Sequence, residues 1–282
     1  MNWILKIFIK IIISKFSIVK KIFVFLGFFK LGNMNSHEYS LKIFNLHYRE
    51  YRSLVSESNK ILLELGPGQT VSTALLAKAY GFKEIYLVDV GNFAKKDLTF
   101  YKILSNKLIK KGIKAPNISK AKSFDEMLEL CNAKYLVNGL ESLKEIPSNS
   151  IDLIFSHSVF EHIRKRELPN TLEEINRLMK KGGIASHVID YQDHLGGGLN
   201  NLRFNETLWE LDFIANSGFY TNRIPAIEMH KLFNKYGFIT IKENFGKWPF
   251  LPISRKLLSY QFKKYKNHEL INRTSSVLLR KE

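Results

Sequence analysis

The segment Ile61-Leu62-Leu63-Glu64-Leu65-Gly66-Pro67-Gly68-Gln69-Thr70 is an apolar run that breaks into two closely spaced glycines just before a helix-forming stretch. A short apolar run without polar alternation reads as a strand buried on both faces, as in a parallel sheet covered by helices on each side. Glycine admits positive φ and lets a ligand approach the backbone, and the helix that follows leaves N–H groups free at its start. At the end of the next strand-like run, Tyr86-Leu87-Val88-Asp89, a carboxylate stands 21 residues after Gly68. That spacing suits an acid that accepts hydrogen bonds from both hydroxyls of a ribose. A tight structural turn would use the same glycines. A nicotinamide fingerprint needs a third glycine, and Val71 occupies its place.

The rest of the chain repeats the alternation. The pattern predicts strands at 61–65, 84–90, 135–137, 151–156 and 184–189, with helices at 72–80, 96–111, 125–130 and 171–180. A further helix at 226–236 leads into a strand at 238–243, and a last strand falls at 276–280. This order gives an α/β fold, doubly wound around a mostly parallel sheet. No internal repeat or flexible linker divides the chain. Its 282 residues, 45% of them hydrophobic, can bury one sizeable core. The single cysteine, Cys131, excludes an internal disulfide framework and multi-cysteine metal sites, and fits a reducing, cytoplasmic compartment.

Glu64-Leu65-Gly66-Pro67-Gly68 resembles motif I of the class I, Rossmann-like, S-adenosylmethionine-dependent methyltransferases, and Asp89 resembles their ribose-binding acid. Ile146 to Ser156 resembles the family's run into strand four, and Val159-Phe160-Glu161-His162-Ile163 the "LEH" that opens its next helix. Leu178-Met179-Lys180-Lys181-Gly182-Gly183 resembles the "LKPGG" turn before strand five, with Lys181 in place of the usual proline, and Gly237-Phe238 begins the penultimate strand as family members often do. The resemblance covers residues 59–190 well and 225–282 loosely. It implies a seven-stranded sheet with the last strand antiparallel and S-adenosyl-L-methionine as cofactor. The cofactor residues it implies are Glu64, Gly66, Pro67, Gly68, Gln69, Asp89, Asn138, Gly139 and Ser156. Asn138-Gly139 departs from the acidic residue that many members carry beside the adenine, although asparagine can still hydrogen-bond there.

Groups for the methyl acceptor are expected after strands four and five. His194, Asp193 and His157 are the candidate catalytic residues, His194 as a base with Asp193 orienting it. Ser156, Glu161, His162, His187 and Asp190 stand nearby in sequence. Asp190, Asp193 and His194 could instead ligate a divalent metal, and no metal is assigned. An insertion at about 190–224 mixes aromatic, amide and guanidinium groups. Such a mixture would suit a sugar-like acceptor, and would equally pack a lid.

The formal charge of +17 lies at the two ends: 10 Lys/Arg against 3 Asp/Glu in residues 1–60, the same in 242–282, and 23 against 20 between them. A nearly neutral centre, without an evident amino-methylating Asn/Asp-Pro-Pro-aromatic motif, weakens an alternative RNA methyltransferase. A non-catalytic binding module is the other alternative, and it need not have kept Glu64, Gly66, Gly68 and Asp89. Residues 1–35 are expected to form a separate basic segment, and residues 36–282 the methyltransferase domain that the resemblance implies, with a basic insertion at about 247–273. Lys6, Lys10, Ser14, Ser17, Lys20 and Lys21 share one stripe of a predicted amphipathic helix within residues 1–31, beside a wide apolar face. Such a helix lies in a membrane interface or packs on protein. The expected partners are a small-molecule, glycan or lipid-linked acceptor and, through residues 1–31, an anionic membrane surface, which would place the chain peripherally on its inner face.

Overall fold

The computed structural model describes Ile7, residues 36–57 and residues 60–282. Apart from Ile7, the predicted helix within residues 1–31 lies outside the described residues.

Seven strands form one sheet: β1 (Ile61–Leu65), β2 (Glu84–Val88), β3 (Ala133–Leu136), β4 (Ile151–His157), β5 (Met179–Asp190), β6 (Phe238–Lys247) and β7 (Asn272–Lys281). Their order is β3-β2-β1-β4-β5-β7-β6, and β7 runs antiparallel to both neighbours. The expected seven-stranded, doubly wound α/β architecture with an antiparallel last strand is therefore present. The order reverses between β1 and β4, which opens a crevice at their C-terminal ends, the usual ligand position in such sheets.

Each face of the sheet has its own core. On one side, Leu62, Ile85, Leu87, Leu153 and Phe155 pack under α1 (His37–Arg52), α2 (Ser72–Ala79), α3 (Leu98–Lys110) and α4 (Phe124–Cys131). On the other, Leu63, Leu65, Val88, Ile154 and Ala185 pack under α5 (Leu140–Lys144), α6 (Leu168–Leu178) and α7 (Ala226–Lys235). Successive strand residues point to opposite faces, so an uninterrupted apolar strand feeds both layers.

Three differences from the sequence expectation follow from pairing. Helix α1, absent from the predicted alternation, is capped by Ser36, whose side chain accepts from the Tyr39 amide, and buries Phe44, His47 and Tyr51. Strand β5 starts at Met179, directly after α6, because residues 179–184 bulge across only Ile151 to Leu153 of β4. Strands β6 and β7 extend to Lys247 and from Asn272, since each supplies the other's hydrogen bonds beyond the edge predicted from apolar residues alone.

The chain between β6 and β7 folds into short turns, including one-turn helices Tyr260–Lys263 and Asn267–Leu270, over a small cluster of Leu199, Leu202, Ile253, Leu258, Phe262 and Leu270. Among the described residues, no helix is long and apolar enough to cross a membrane.

Candidate functional site

Strand β1 ends on Leu65, and the chain turns through Gly66 and Gly68, at φ +67° and +68°. A side chain at Gly66 would meet the Val159 side chain, so glycine is required there for space as well as conformation. Beside this turn β2 delivers Asp89, whose Oδ2 accepts from the Gly68 amide at 2.9 Å and whose Oδ1 accepts from the Val90 amide at 2.8 Å. Burial raises the Asp89 pKa, and the two amides oppose that rise. Each carboxylate oxygen thus keeps lone-pair capacity for a further donor.

Glu64 enters the same turn from β1. It is buried, and its Oε2 has no hydrogen-bond partner. Burial foremost, opposed by the Thr73 side chain and reinforced by the Asp89 charge, pushes its pKa up to about 8. A buried carboxylate oxygen in this position can accept from a cation or an N–H group. The glycine turn is held from outside: the Tyr101 hydroxyl accepts from the Val71 amide at 3.2 Å and donates to the Lys95 carbonyl at 2.9 Å, and the Lys95 amide donates to the Gln69 carbonyl at 2.9 Å.

Strand β3 completes the crevice. The Gly139 amide donates to the Asp89 carbonyl at 2.8 Å, and an open depression is lined by Val90, Asn138, Gly139 and Leu140. Val90, next to the acid, is 79% exposed, an apolar surface at the lip of that depression. Glu64, Gly66, Pro67, Gly68, Gln69, Asp89, Asn138 and Gly139 therefore converge at the C-terminal ends of β1, β2 and β3.

Ser156 does not join them. It is fully buried, and its Oγ pairs with His187 Nδ1 at 2.8 Å within the β4–β5 layer. Strand alternation turns its side chain into the core, away from the glycine turn. His157 faces the opposite side, where its Nδ1 lies 3.4 Å from Nε2 of His47, and His47 Nδ1 lies 2.8 Å from Ser186 Oγ. Burial, aided by the Lys42 charge, lowers the His157 pKa to about 4, and burial alone lowers that of His187 to about 3. His47 went unread in the sequence; the spacing of Phe44, His47 and Tyr51 along one helical face was the signal for it.

After β5 the chain forms a loop around Asp193. Its Oδ1 accepts from the amides of Leu195, Gly196, Gly197 and Gly198, and its Oδ2 from that of Asn200. Both oxygens thereby take part in folding the loop, so Asp193 shapes the segment carrying His194. His194 is exposed and stacks on His162 with ring centroids 5.0 Å apart. Among the described residues, no group of three or more His, Cys, Asp or Glu is placed to hold a metal ion, and the set Asp190, Asp193 and His194 is not assembled as one.

The aromatic residues of the insertion pack its interior. Trp209, Phe219 and Tyr220 are buried with Leu195 and Ile214. Arg223 lies between the Trp209 and Phe262 rings, donates to the carbonyls of Asn201 and Phe204, and pairs with Glu206. Burial lowers its pKa to about 10, partly countered by the Glu206 charge. The stacking faces expected for a sugar are covered by one another, and the insertion packs as a lid on the chain after β4, where His162 Nδ1 donates to the Tyr220 carbonyl at 2.9 Å and the Asn222 amide donates to the Glu161 carbonyl at 2.7 Å.

A family model described as "Methyltransferase domain" matches residues 39–243. No curated protein matches the chain. Among solved structures, the PH0226 protein of Pyrococcus horikoshii OT3 is 13% identical, with 89% of this chain and 94% of that one covered and a TM-score of 0.49. An S-adenosylmethionine dependent methyltransferase of Mesorhizobium loti is 12% identical, with 83% and 97% covered and a TM-score of 0.45. Phosphoethanolamine N-methyltransferase 2 of Haemonchus contortus, in complex with S-adenosyl-L-methionine, is 14% identical, with 84% and 52% covered and a TM-score of 0.46.

Proposed function

The chain belongs to the methyltransferase-domain family, and from that premise we propose that it methylates an oxygen of a small polar acceptor, free, glycan or lipid-linked, close to an anionic membrane surface. It is an S-adenosylmethionine-dependent methyltransferase. The observation that carries the cofactor assignment to particular residues is the buried Glu64 Oε2 without a partner, beside the Gly68–Asp89 hydrogen bond.

These residues fit the cofactor by their chemistry. Glu64 would hold its ammonium group, and the pairing would let that carboxylate ionise below the pKa set by burial. Asp89 would accept from the ribose hydroxyls, and Val90 with Asn138 and Gly139 would flank the adenine. S-adenosylmethionine supplies a methyl group on a positively charged sulfur, which makes transfer an in-line displacement. The chain's contribution is then mainly to hold donor and acceptor in line and exclude water under the lid. His194, on the loop shaped by Asp193, would take the proton of an acceptor hydroxyl, its imidazole serving as a base near neutral pH.

Two features support a membrane surface. The predicted stripe of lysines within residues 1–31 is one. The other is the segment 247–273, with seven Lys/Arg against one Glu, which leaves Phe250 72% and Tyr260 89% exposed.

Transfer of radiolabelled methyl groups from S-adenosylmethionine into cell-envelope extracts tests the activity. His194→Ala should cut turnover with cofactor affinity unchanged, and unaltered turnover would remove His194 from the reaction. Flotation with anionic liposomes should fall when residues 1–31 are deleted; equal flotation of both proteins would reject the anchor.

A further inference from the structure

A narrow cavity lies between the C-terminal end of β5, the start of β7 and the two insertions, with Glu161, Tyr191, Leu202, Asn222, Leu270 and Asn272 in its lining. Glu161 is 2% exposed, and neither of its carboxylate oxygens has a donor in good hydrogen-bond geometry; the amides of Glu161 and Asp190 and the Ser158 hydroxyl stand near enough only to moderate its charge. The Oδ1 of Asn272 is also buried without one. A buried acceptor left unpaired costs roughly 1–3 kcal/mol, and more when charged, so three on one cavity wall are not what a purely structural interior retains.

Apart from Arg223 Nε, the other polar groups of the lining have partners. Asp190 accepts from the amide and side chain of Gln192, and the Asn222 side chain donates to the carbonyls of Phe160 and Ile163. Glu269 accepts from the Lys266 amide. The guanidinium of Arg223 makes its three bonds to Asn201, Phe204 and Glu206, leaving Nε as the unpaired donor. Of the four unpaired lining atoms, three are therefore acceptors and the fourth is the Arg223 Nε donor. An ammonium group held at Glu161 would also offset the nearby Asp190 charge. Two residues before Glu161, Val159 stands against Gly66, so one turn joins this cavity to the glycine loop.

We propose that this cavity, of about 30 Å³, admits only the ammonium group of the molecule to be methylated, received by Glu161 with Asn272, while the rest of that molecule lies outside it. The proposal rests on the methyl-transfer reading above, which supplies the neighbouring donor. An amino sugar or other amine-bearing polar molecule has this chemistry, and a polyol shares it more weakly because its hydroxyls carry no charge to offset the carboxylates.

The test uses the full chain loaded with S-adenosylhomocysteine, with millimolar ethylammonium as probe and ethanol as its neutral counterpart, followed by NMR. Ethylammonium should shift resonances around Glu161 and Asn272 saturably and bind more tightly than ethanol. Glu161→Gln should weaken it at least about tenfold and Asn272→Leu should weaken it less, both with unchanged affinity for S-adenosylhomocysteine. Equal ethylammonium binding by wild type and Glu161→Gln, or none by wild type while S-adenosylhomocysteine still binds, would overturn the proposal. Equal binding of ethanol and ethylammonium would overturn the choice of an ammonium group. Failure of the wild-type chain to bind S-adenosylhomocysteine would overturn the cofactor assignment and this subsite with it.

Discussion

The Val159 side chain occupies the space that a methyl group on Gly66 would need: a Cβ built there falls 2.5 Å from Val159 Cγ2. The chain after β4 thus rests directly on the turn after β1. Gly66→Ala should destabilise the protein by about 1–3 kcal/mol, from the clash and from its positive φ. Val159→Ala in the same chain should restore part of that loss, and denaturant unfolding of the double-mutant cycle measures it. Strict additivity would show that the two residues do not meet.

Asp89 links the same turn to β2. Asp89→Ala removes the acceptor for the Gly68 amide and, in the proposed cofactor placement, for two ribose hydroxyls, so S-adenosylmethionine should bind at least roughly 100-fold more weakly, about 3 kcal/mol. Calorimetry measures the dissociation constant, and an unchanged value would reject this crevice as the nucleoside site.

The pKa values of Glu64 and Glu161 are both pushed up to about 8, chiefly by burial, from an ordinary 4.5. In Glu161 the Asp190 charge adds to the rise, while nearby amides and the Ser158 hydroxyl moderate it. Between about pH 4.5 and 8 the folded chain then holds more protons than the unfolded one, so these groups make stability fall as pH rises through that window. Glu161→Gln should stabilise the ligand-free protein at pH 8 by on the order of 3 kcal/mol, and far less at pH 5. An equal change in Tm at both pH values would contradict the sign.

Buried histidines act at lower pH. His187 and His157 have pKa values near 3 and 4 against an ordinary 6.5, so the folded chain resists protonating them. Their contribution is complete above pH 6.5 and is lost as pH falls toward those values. His187→Asn should flatten the decline of Tm between about pH 6.5 and 4, and a parallel decline in both proteins would count against a neutral buried His187.

Arg223 braces the lid with its side chain wholly buried. Arg223→Met leaves the carbonyls of Asn201 and Phe204 without these donors and should cost about 3 kcal/mol. Limited proteolysis should then cut within 195–222 while S-adenosylmethionine affinity stays near the wild-type value. Resistance equal to wild type would show that the lid does not depend on this brace.

Much of the fold could be read in advance because its signals are local. The apolar run of Ile61–Leu65, the two glycines and the acid ending β2 are properties of neighbouring residues, and a parallel sheet brings successive strand ends to one edge. The crevice at the ends of β1, β2 and β3, proposed above for the cofactor, followed from the same local features, whereas one step along β4 decides that the Ser156 side chain enters the core.

What the residue order determined was the alternation of elements, the glycine turn and the placing of Asp89 beside it, since these depend on backbone conformation and strand connectivity. Tertiary structure alone decided the turning of Asp193 into its own loop, the burial of the insertion's aromatic faces, and the isolation of Glu161 with both oxygens unpaired. Each of these is set by which distant groups come within hydrogen-bonding or van der Waals distance. Residue type and spacing leave that open, because the same carboxylate can cap a loop, pair with a cation or wait for a ligand depending on what the fold packs around it.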